Sequence, residues 1–188
     1  LTLAAVSVVG IYLEDGQIDG SIVNNGTVGA AALAESHRDA SAAAYGIAFE
    51  TGVDPSIANH GIVNVAATAT GYKAAHATAV GLGEAVAATS ETATVFNDGE
   101  VNVSAVGKAV TGGVGAVPDY AFSQAVGAGQ IVAGDSVIGY VTNATDGTFT
   151  VRATASATGG STLYDQNAFG RATGVYQELV GDDAAGYV

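Results

Sequence analysis

One short motif recurs four times along this chain of 188 residues and constrains its fold more than any other feature. In each copy an apolar residue precedes Asn, a turn that contains Gly, and a run of alternating small apolar residues. The copies span residues 22–28, 57–65, 95–103 and 141–151, and a second element follows each of them at residues 44–47, 79–82, 125–127 and 172–175. Self-similarity of this kind is the sequence signature of repeat architectures.

A third match sets the expected repeat length. Residues 130–141 align without gaps to residues 177–188, at an offset of 47. Residues 7–11 are interpreted as the same part of the repeat as residues 136–140. Four units of about 47 residues then account for residues 1–188, which we interpret as a single repetitive segment, part of a longer protein or polymer.

Alternation of small apolar and polar residues dominates the repeat, as in residues 63–70 and 152–158. This period of two places one set of side chains on a buried face and the other in solvent. Aromatic residues make up only 7% of the chain, so the core must be narrow. The pattern predicts an all-β fold, a β-solenoid (parallel β-helix) of about four 47-residue repeats, each expected to make two coils.

Two structural alternatives remain open at this stage. Asn or Asp followed by Gly favours hairpin turns, so an antiparallel β-sandwich or meander fits the same turns. The Ala-rich stretch between Ala34 and Ser41 is also compatible with a short helix. Residues 112–121 and 161–168 are predicted to form loops that leave the coil. Asn residues at one phase of the repeat favour the solenoid, because they could stack as a ladder: Asn24, Asn59, Asn97 and Asn143.

Charge and composition exclude several classes of binding partner and site. The formal net charge is −13, which repels nucleic acid and anionic membranes. The chain has no Cys, so disulfides and thiolate metal sites are excluded. No apolar stretch is long enough for a transmembrane helix, so membrane insertion is not expected.

No catalytic, cofactor-binding or metal-binding residue is predicted. His37, His60 and His76 match no zinc spacing, and His60 occupies a turn position. Carboxylates cluster at Glu14, Asp15 and Asp19, and again at Asp182 and Asp183. The five basic residues that could assist them, Arg38, Lys73, Lys108, Arg152 and Arg171, are spread along the chain. We therefore expect no enzyme.

Two weaker possibilities concern ions and ice. Asp182 and Asp183 with Asp135 form a secondary candidate for calcium where repeats stack, whereas residues 112–115 lack the Asp of calcium-binding repeats. Ice binding needs Thr at one phase of every coil. The Thr residues occur only in local pairs, at Thr68, Thr70, Thr92, Thr94, Thr148, Thr150, Thr154 and Thr158.

Residues 57–71 and 95–107 carry the pattern apolar-x-Asn-x-Gly followed by alternating Val and Ala. This pattern resembles the repeats of autotransporter passenger domains and other large bacterial surface adhesins. The resemblance implies a right-handed β-helix stalk, secretion across the outer membrane to the cell surface or exterior, and an adhesive or matrix role.

Two functional hypotheses follow. The first is a non-catalytic structural or adhesive stalk or filament subunit that self-associates through its apolar ends, head-to-tail or laterally, and has no pocket. The second is a polysaccharide-binding or polysaccharide-processing β-helix. That hypothesis requires a groove in which carboxylates converge beside an Arg or Lys.

Overall fold

The computed structural model describes residues 3–15, 20–51, 54–87, 90–111, 120–159 and 167–188, and in these residues it is all-β with no helix. The strands are β1 (Leu3–Asp15), β2 (Ser21–Asn24), β3 (Thr27–Ser36), β4 (Asp39–Thr51), β5 (Ser56–Asn59), β6 (Ile62–Gly71), β7 (Ala74–Ala87), β8 (Ser90–Asn97), β9 (Glu100–Thr111), β10 (Tyr120–Ala133), β11 (Ser136–Asn143), β12 (Thr148–Gly159), β13 (Asn167–Val180) and β14 (Asp183–Tyr187).

The strands form three parallel sheets. Sheet A contains β1, β4, β7, β10 and β13 in that order, sheet B contains β2, β5, β8, β11 and β14, and sheet C contains β3, β6, β9 and β12. Every strand pairs in parallel with its counterpart one repeat away. The predicted β-solenoid is therefore confirmed, and the antiparallel sandwich or meander is wrong.

Each sequence repeat makes one coil of three strands. Asn24 lies 35 residues before its ladder partner Asn59, and Gln130 lies 47 residues before its partner Gln177. The expectation of two coils per repeat is therefore wrong, and the offset of 47 applies only towards the C-terminal end. Five strands in sheet A correspond to a length of about 19 Å along the axis, at about 4.8 Å per strand spacing.

The second repeated element lies in sheet A. Ala44 pairs with Ala79, which pairs with Ala125, which in turn pairs with Ala172. The N-terminal residues 7–11 belong to this element, because Val8 pairs with Ala44. Their expected alignment with residues 136–140 is therefore wrong, since those residues lie in sheet B.

The core is a thin layer between sheets A and C, lined mostly by buried Ala and Val. It widens towards sheet B, where Ile47, Phe49, Ile57 and Leu82 are fully buried. In the thin part even one extra methyl group would collide. A Cβ atom on Gly81 would lie 2.4 Å from Cγ1 of Val101 across the core.

The predicted turn residues form the corners between sheets B and C. Asn25 and Gly26 join β2 to β3, and His60 and Gly61 join β5 to β6. A Cβ atom on Gly61 would lie 2.0 Å from the carbonyl oxygen of Gly26, so stacked corners leave room only for Gly. The suggested helix between Ala34 and Ser41 is wrong, because β3 and β4 occupy that stretch.

The predicted loops at residues 112–121 and 161–168 lie almost entirely outside the described residues. Their last two residues in each case already belong to β10 and β13. The described part of the chain contains no helix that could cross a membrane.

Candidate functional site

A ladder of buried Asn side chains runs along the corner between sheets B and C. Asn24 Nδ2 donates to Asn59 Oδ1, Asn59 Nδ2 to Asn97 Oδ1, and Asn97 Nδ2 to Asn143 Oδ1, each at 2.7 Å. Asn59 and Asn97 are fully buried. The predicted Asn ladder is confirmed, and it satisfies amide groups that would be costly to bury alone.

A second ladder runs through the corner between sheets A and B, where Glu84 and Gln130 are buried and Gln177 is half-buried. Gln130 Nε2 donates to Glu84 Oε2, and Gln177 Nε2 donates to Gln130 Oε1, both at 2.8 Å. The strands of sheet B that face the Gln side chains have Gly at the point of contact, which leaves room for them. A Cβ atom on Gly139 would lie 2.3 Å from Gln130 Oε1, and one on Gly186 would lie 2.4 Å from Gln177 Oε1.

Glu84 is the unusual member of this ladder, because its side chain is a buried carboxyl group. The next residue in its column is the apolar Phe49. Oε1 of Glu84 has no hydrogen-bond partner among the described residues. Burial raises the pKa of Glu84 to about 8, although hydrogen bonds from Gln130 and from the Ile57 backbone lower it in part.

The outer face of sheet A carries an open groove of about 430 Å³, which we call the sheet-A groove. Ala48, Gly83 and Gly129 lie in one column of the sheet between Tyr12 and Tyr176. The three small residues form the shallow bottom of the groove, and the two Tyr residues lie at its ends. The expectation of a stalk without any pocket is therefore not met on this face.

Both Tyr residues of the sheet-A groove donate a hydrogen bond to a carboxylate side chain. Tyr12 donates its hydroxyl proton to Glu50 at 2.7 Å, and Tyr176 donates to Glu178. These hydrogen bonds raise the pKa of Tyr12 to about 12 and raise that of Tyr176 as well. No basic side chain is among the described residues that line this groove.

A second open groove, of about 580 Å³, lies on the outer face of sheet C. It follows small residues and an exposed pair in which Asn102 Nδ2 donates to Asn64 Oδ1 at 3.0 Å. Arg152 lines this groove, and no carboxylate does so within the described ranges. Neither groove therefore combines carboxylates with a basic group, the arrangement that polysaccharide cleavage would need.

The three His residues lie apart and are exposed. His60 occupies the predicted turn position, and its Nδ1 lies 2.7 Å from Asp98 Oδ1 in the next corner. His37 packs on the ring of Tyr72, and His76 packs on the rings of Tyr120 and Phe122. Each His thus has a ring contact or polar contact between neighbouring coils.

The predicted acidic clusters are only partly described. Glu14 is exposed on β1, the side chain of Asp15 is not described, and Asp19 lies outside the described residues. The structure does bring Asp135 next to Asp183, whose backbone N–H donates to the carbonyl oxygen of Asp135 at 3.0 Å. No group of three or more metal-ligating side chains occurs in the described part of the chain.

The basic and Thr residues are distributed over several faces. Arg38 and Lys73 occupy neighbouring corners, where Lys73 N–H donates to the Arg38 carbonyl. Thr68 and Thr154 share a column of sheet C that is interrupted by Val106. The regular Thr array that ice binding requires is therefore broken in this column.

The Glu84 ladder could not be recognised from the sequence motif. The match between Gln130 and Gln177 was visible in the alignment, but Glu84 precedes Gln130 by 46 residues rather than 47 and is a different residue type, so the repeated Gln did not indicate it. Comparison with known proteins adds no assignment. The chain matches no protein-family model, no curated protein and no solved structure.

Proposed function

We propose that this chain is a non-catalytic structural or adhesive segment of an extracellular stalk or filament, which assembles through its solenoid ends. The observation that carries the proposal is the character of the two end coils. Both present sheet edges with exposed apolar side chains. Leu3 and Tyr12 are 62% and 48% exposed at one end, and Phe169 and Tyr187 are 54% and 55% exposed at the other.

The interior supports the same proposal. Parallel strands, an Asn ladder and a Gln ladder repeat from coil to coil, so each coil is built to contact its neighbours on both sides. An open edge of this kind readily pairs with another strand. The resemblance to bacterial surface adhesins favours an extracellular location, and a net charge of −13 keeps such a rod soluble.

Assembly can be tested on the purified chain by sedimentation velocity over a range of concentrations and by negative-stain electron microscopy. We expect rods that lengthen with concentration. Val9→Asp adds a further negative charge at the edge of β1 in an acidic chain and should shorten the rods. Val110→Asp is the matched control, since Val110 is equally exposed but lies on β9 in an inner coil. A monodisperse monomer at every concentration would refute the proposal.

A second candidate function rests on the sheet-A groove. Tyr rings at both ends of a flat floor suit the apolar faces of sugar rings, and the neighbouring Glu50 and Glu178 can accept hydrogen bonds from hydroxyl groups. The test is calorimetric titration with neutral oligosaccharides. Binding that is lost in Tyr12→Ala and retained in Tyr72→Ala would favour this candidate over the stalk.

A further inference from the structure

A column of Gly residues crosses sheet A from one end coil to the other. Its members are Gly10, Gly46, Gly81, Gly127 and Gly174, which lie between paired neighbours in each strand. A Cβ atom on any of the first four would lie 2.5–2.7 Å from the carbonyl oxygen of the Gly in the next coil. The same Cβ atoms would also lie 2.4–2.8 Å from a Val or Phe side chain of sheet C, so each Gly admits both the backbone of the coil that follows it and the facing strand of sheet C.

Gly174, the last member of the column, has no described neighbour that would exclude a larger residue. No described atom lies within 4 Å of the position that its Cβ would take. A strand laid on the outer edge of β13 would place its own carbonyl there. At Gly174 both contacts are missing, because sheet A has no described strand beyond β13 and sheet C has none in that coil. A further strand on β13 would find the space that β13 itself finds at Gly127.

The edge of β1 carries residues that fit this position. Registering Gly10 over Gly174 also places Tyr12 over Tyr176 and Ile11 over Val175. Aromatic rings already stack between coils elsewhere, with centroids 5.8 Å apart for Phe122 and Phe169. Val9 would lie over Thr173, and both are members of one outward-facing column of sheet A.

We propose that a second copy of this chain stacks head-to-tail on the first, with β1 of one copy parallel to β13 of the other and Gly10 registered on Gly174. This inference rests on the proposed assembly through the solenoid ends, and it specifies both the partner and the register. The contact uses sheets A and B, because sheet C of the described chain ends one coil earlier, at β12.

The same register has an electrostatic consequence. Glu14 of one copy lies over Glu178 of the other, so two carboxylates face each other across the junction. Salt screens repulsion between exposed charges, with a Debye length of about 10 Å at 0.1 M. The head-to-tail contact should therefore strengthen as the salt concentration rises, whereas contacts between opposite charges would weaken.

Disulfide crosslinking tests the register directly, because the chain has no Cys of its own. Val9→Cys and Thr173→Cys are made in separate chains, mixed and oxidised mildly. Registered residues on adjacent strands lie about 4.8 Å apart, within the range of a disulfide. Ser7→Cys with Thr173→Cys is the control, since a shift of two residues increases the Cα separation to about 8 Å.

We expect a crosslinked dimer from the registered pair, at least about tenfold less from the shifted pair, and more product at higher salt. Circular dichroism of each single variant verifies that it is folded. Rods that form without the registered crosslink would overturn this inference and leave the proposed function standing. Crosslinking of Val9→Cys to itself would indicate head-to-head contact and would also overturn it. Absence of any assembly by sedimentation would refute both proposals.

Discussion

Gln130 donates a hydrogen bond from Nε2 to Oε2 of Glu84 in the neighbouring coil, at 2.8 Å. Glu84 thus places a buried carboxyl group in a column that Gln130 and Gln177 occupy in the two following coils. An amide at this position would still accept the hydrogen bond from Gln130 and would carry no charge at any pH. The carboxyl group makes the stability of the solenoid depend on pH.

The direction of that dependence follows from the pKa of Glu84, which folding raises from 4.5 to about 8. The folded state binds the proton more tightly than the unfolded state. Its contribution to stability is therefore complete below pH 4.5 and is lost as the pH rises through about 8. The loss is at most about 5 kcal/mol, since one pKa unit corresponds to about 1.4 kcal/mol.

Glu84→Gln should remove this dependence, because the amide is neutral at every pH. We expect urea midpoints of the variant to stay nearly constant from about pH 5 to about pH 9, and to exceed those of the wild type at the alkaline end. Glu35→Gln, on the exposed face of sheet C, is the control and should leave the slope unchanged. A constant difference between wild type and Glu84→Gln across this range would contradict the effect of burial.

Asn59→Ala should destabilise the chain strongly. The substitution leaves Nδ2 of Asn24 and Oδ1 of Asn97 without their ladder partner, both in the interior. A buried polar group without a partner costs about 1–3 kcal/mol, so we expect a loss of about 2–5 kcal/mol in the free energy of unfolding. Chemical denaturation measures it.

Asn64→Ala is the matched control for Asn59→Ala. Asn64 also takes part in an Asn pair between coils, with Asn102 at 3.0 Å, but on the solvent-exposed face of sheet C. Water replaces the lost hydrogen bond there, and we expect a change below about 0.5 kcal/mol. Equal losses in the two variants would show that burial of the ladder contributes nothing.

Gly81→Ala should disrupt the thin part of the core. Its Cβ would lie 2.4 Å from Cγ1 of Val101 and 2.6 Å from the Gly127 carbonyl oxygen, and backbone cannot give way as a flexible side chain can. We expect a loss of about 1–3 kcal/mol or more, measured by thermal and urea unfolding.

Gly29→Ala provides the comparison, since no described atom lies within 4 Å of its Cβ position on β3. Replacing Gly by Ala restricts the unfolded chain, so this variant should be neutral or more stable by up to about 1 kcal/mol. If both substitutions destabilise equally, the close approach of sheets A and C is not the cause.

Glu50→Gln should lower the pKa of Tyr12. The hydrogen bond to the Glu50 carboxylate is the main reason why that pKa is raised to about 12, and an amide accepts the phenolic proton less strongly. We expect the Tyr12 pKa to fall towards 10, followed by NMR of labelled Tyr. Glu178→Gln should instead shift Tyr176 and leave Tyr12 unchanged.

Much of the architecture could be predicted because its signals are local. Alternation along 63–70 indicated strands, and Asn or Asp before Gly indicated corners. The common phase of Asn59 and Asn97 predicted their contact. The choice between a hairpin meander and a solenoid could not be derived in this way, because an Asn-Gly turn suits a hairpin and a solenoid corner equally well. Strand pairing across 35 to 47 residues decides between them.

The sequence by itself determined the all-β character, the narrow core and the repeated turns, because these depend on side-chain size, on alternation and on the small size of Gly at the corners. Tertiary structure alone decided that Glu84 lies beside Gln130 and that Val8 lies beside Ala44. Those contacts depend on the register between coils of unequal length, which the chain reaches only when its sheets close around a common interior. Close packing of sheets A and C, where even one Cβ on Gly81 would collide, then selects a single register.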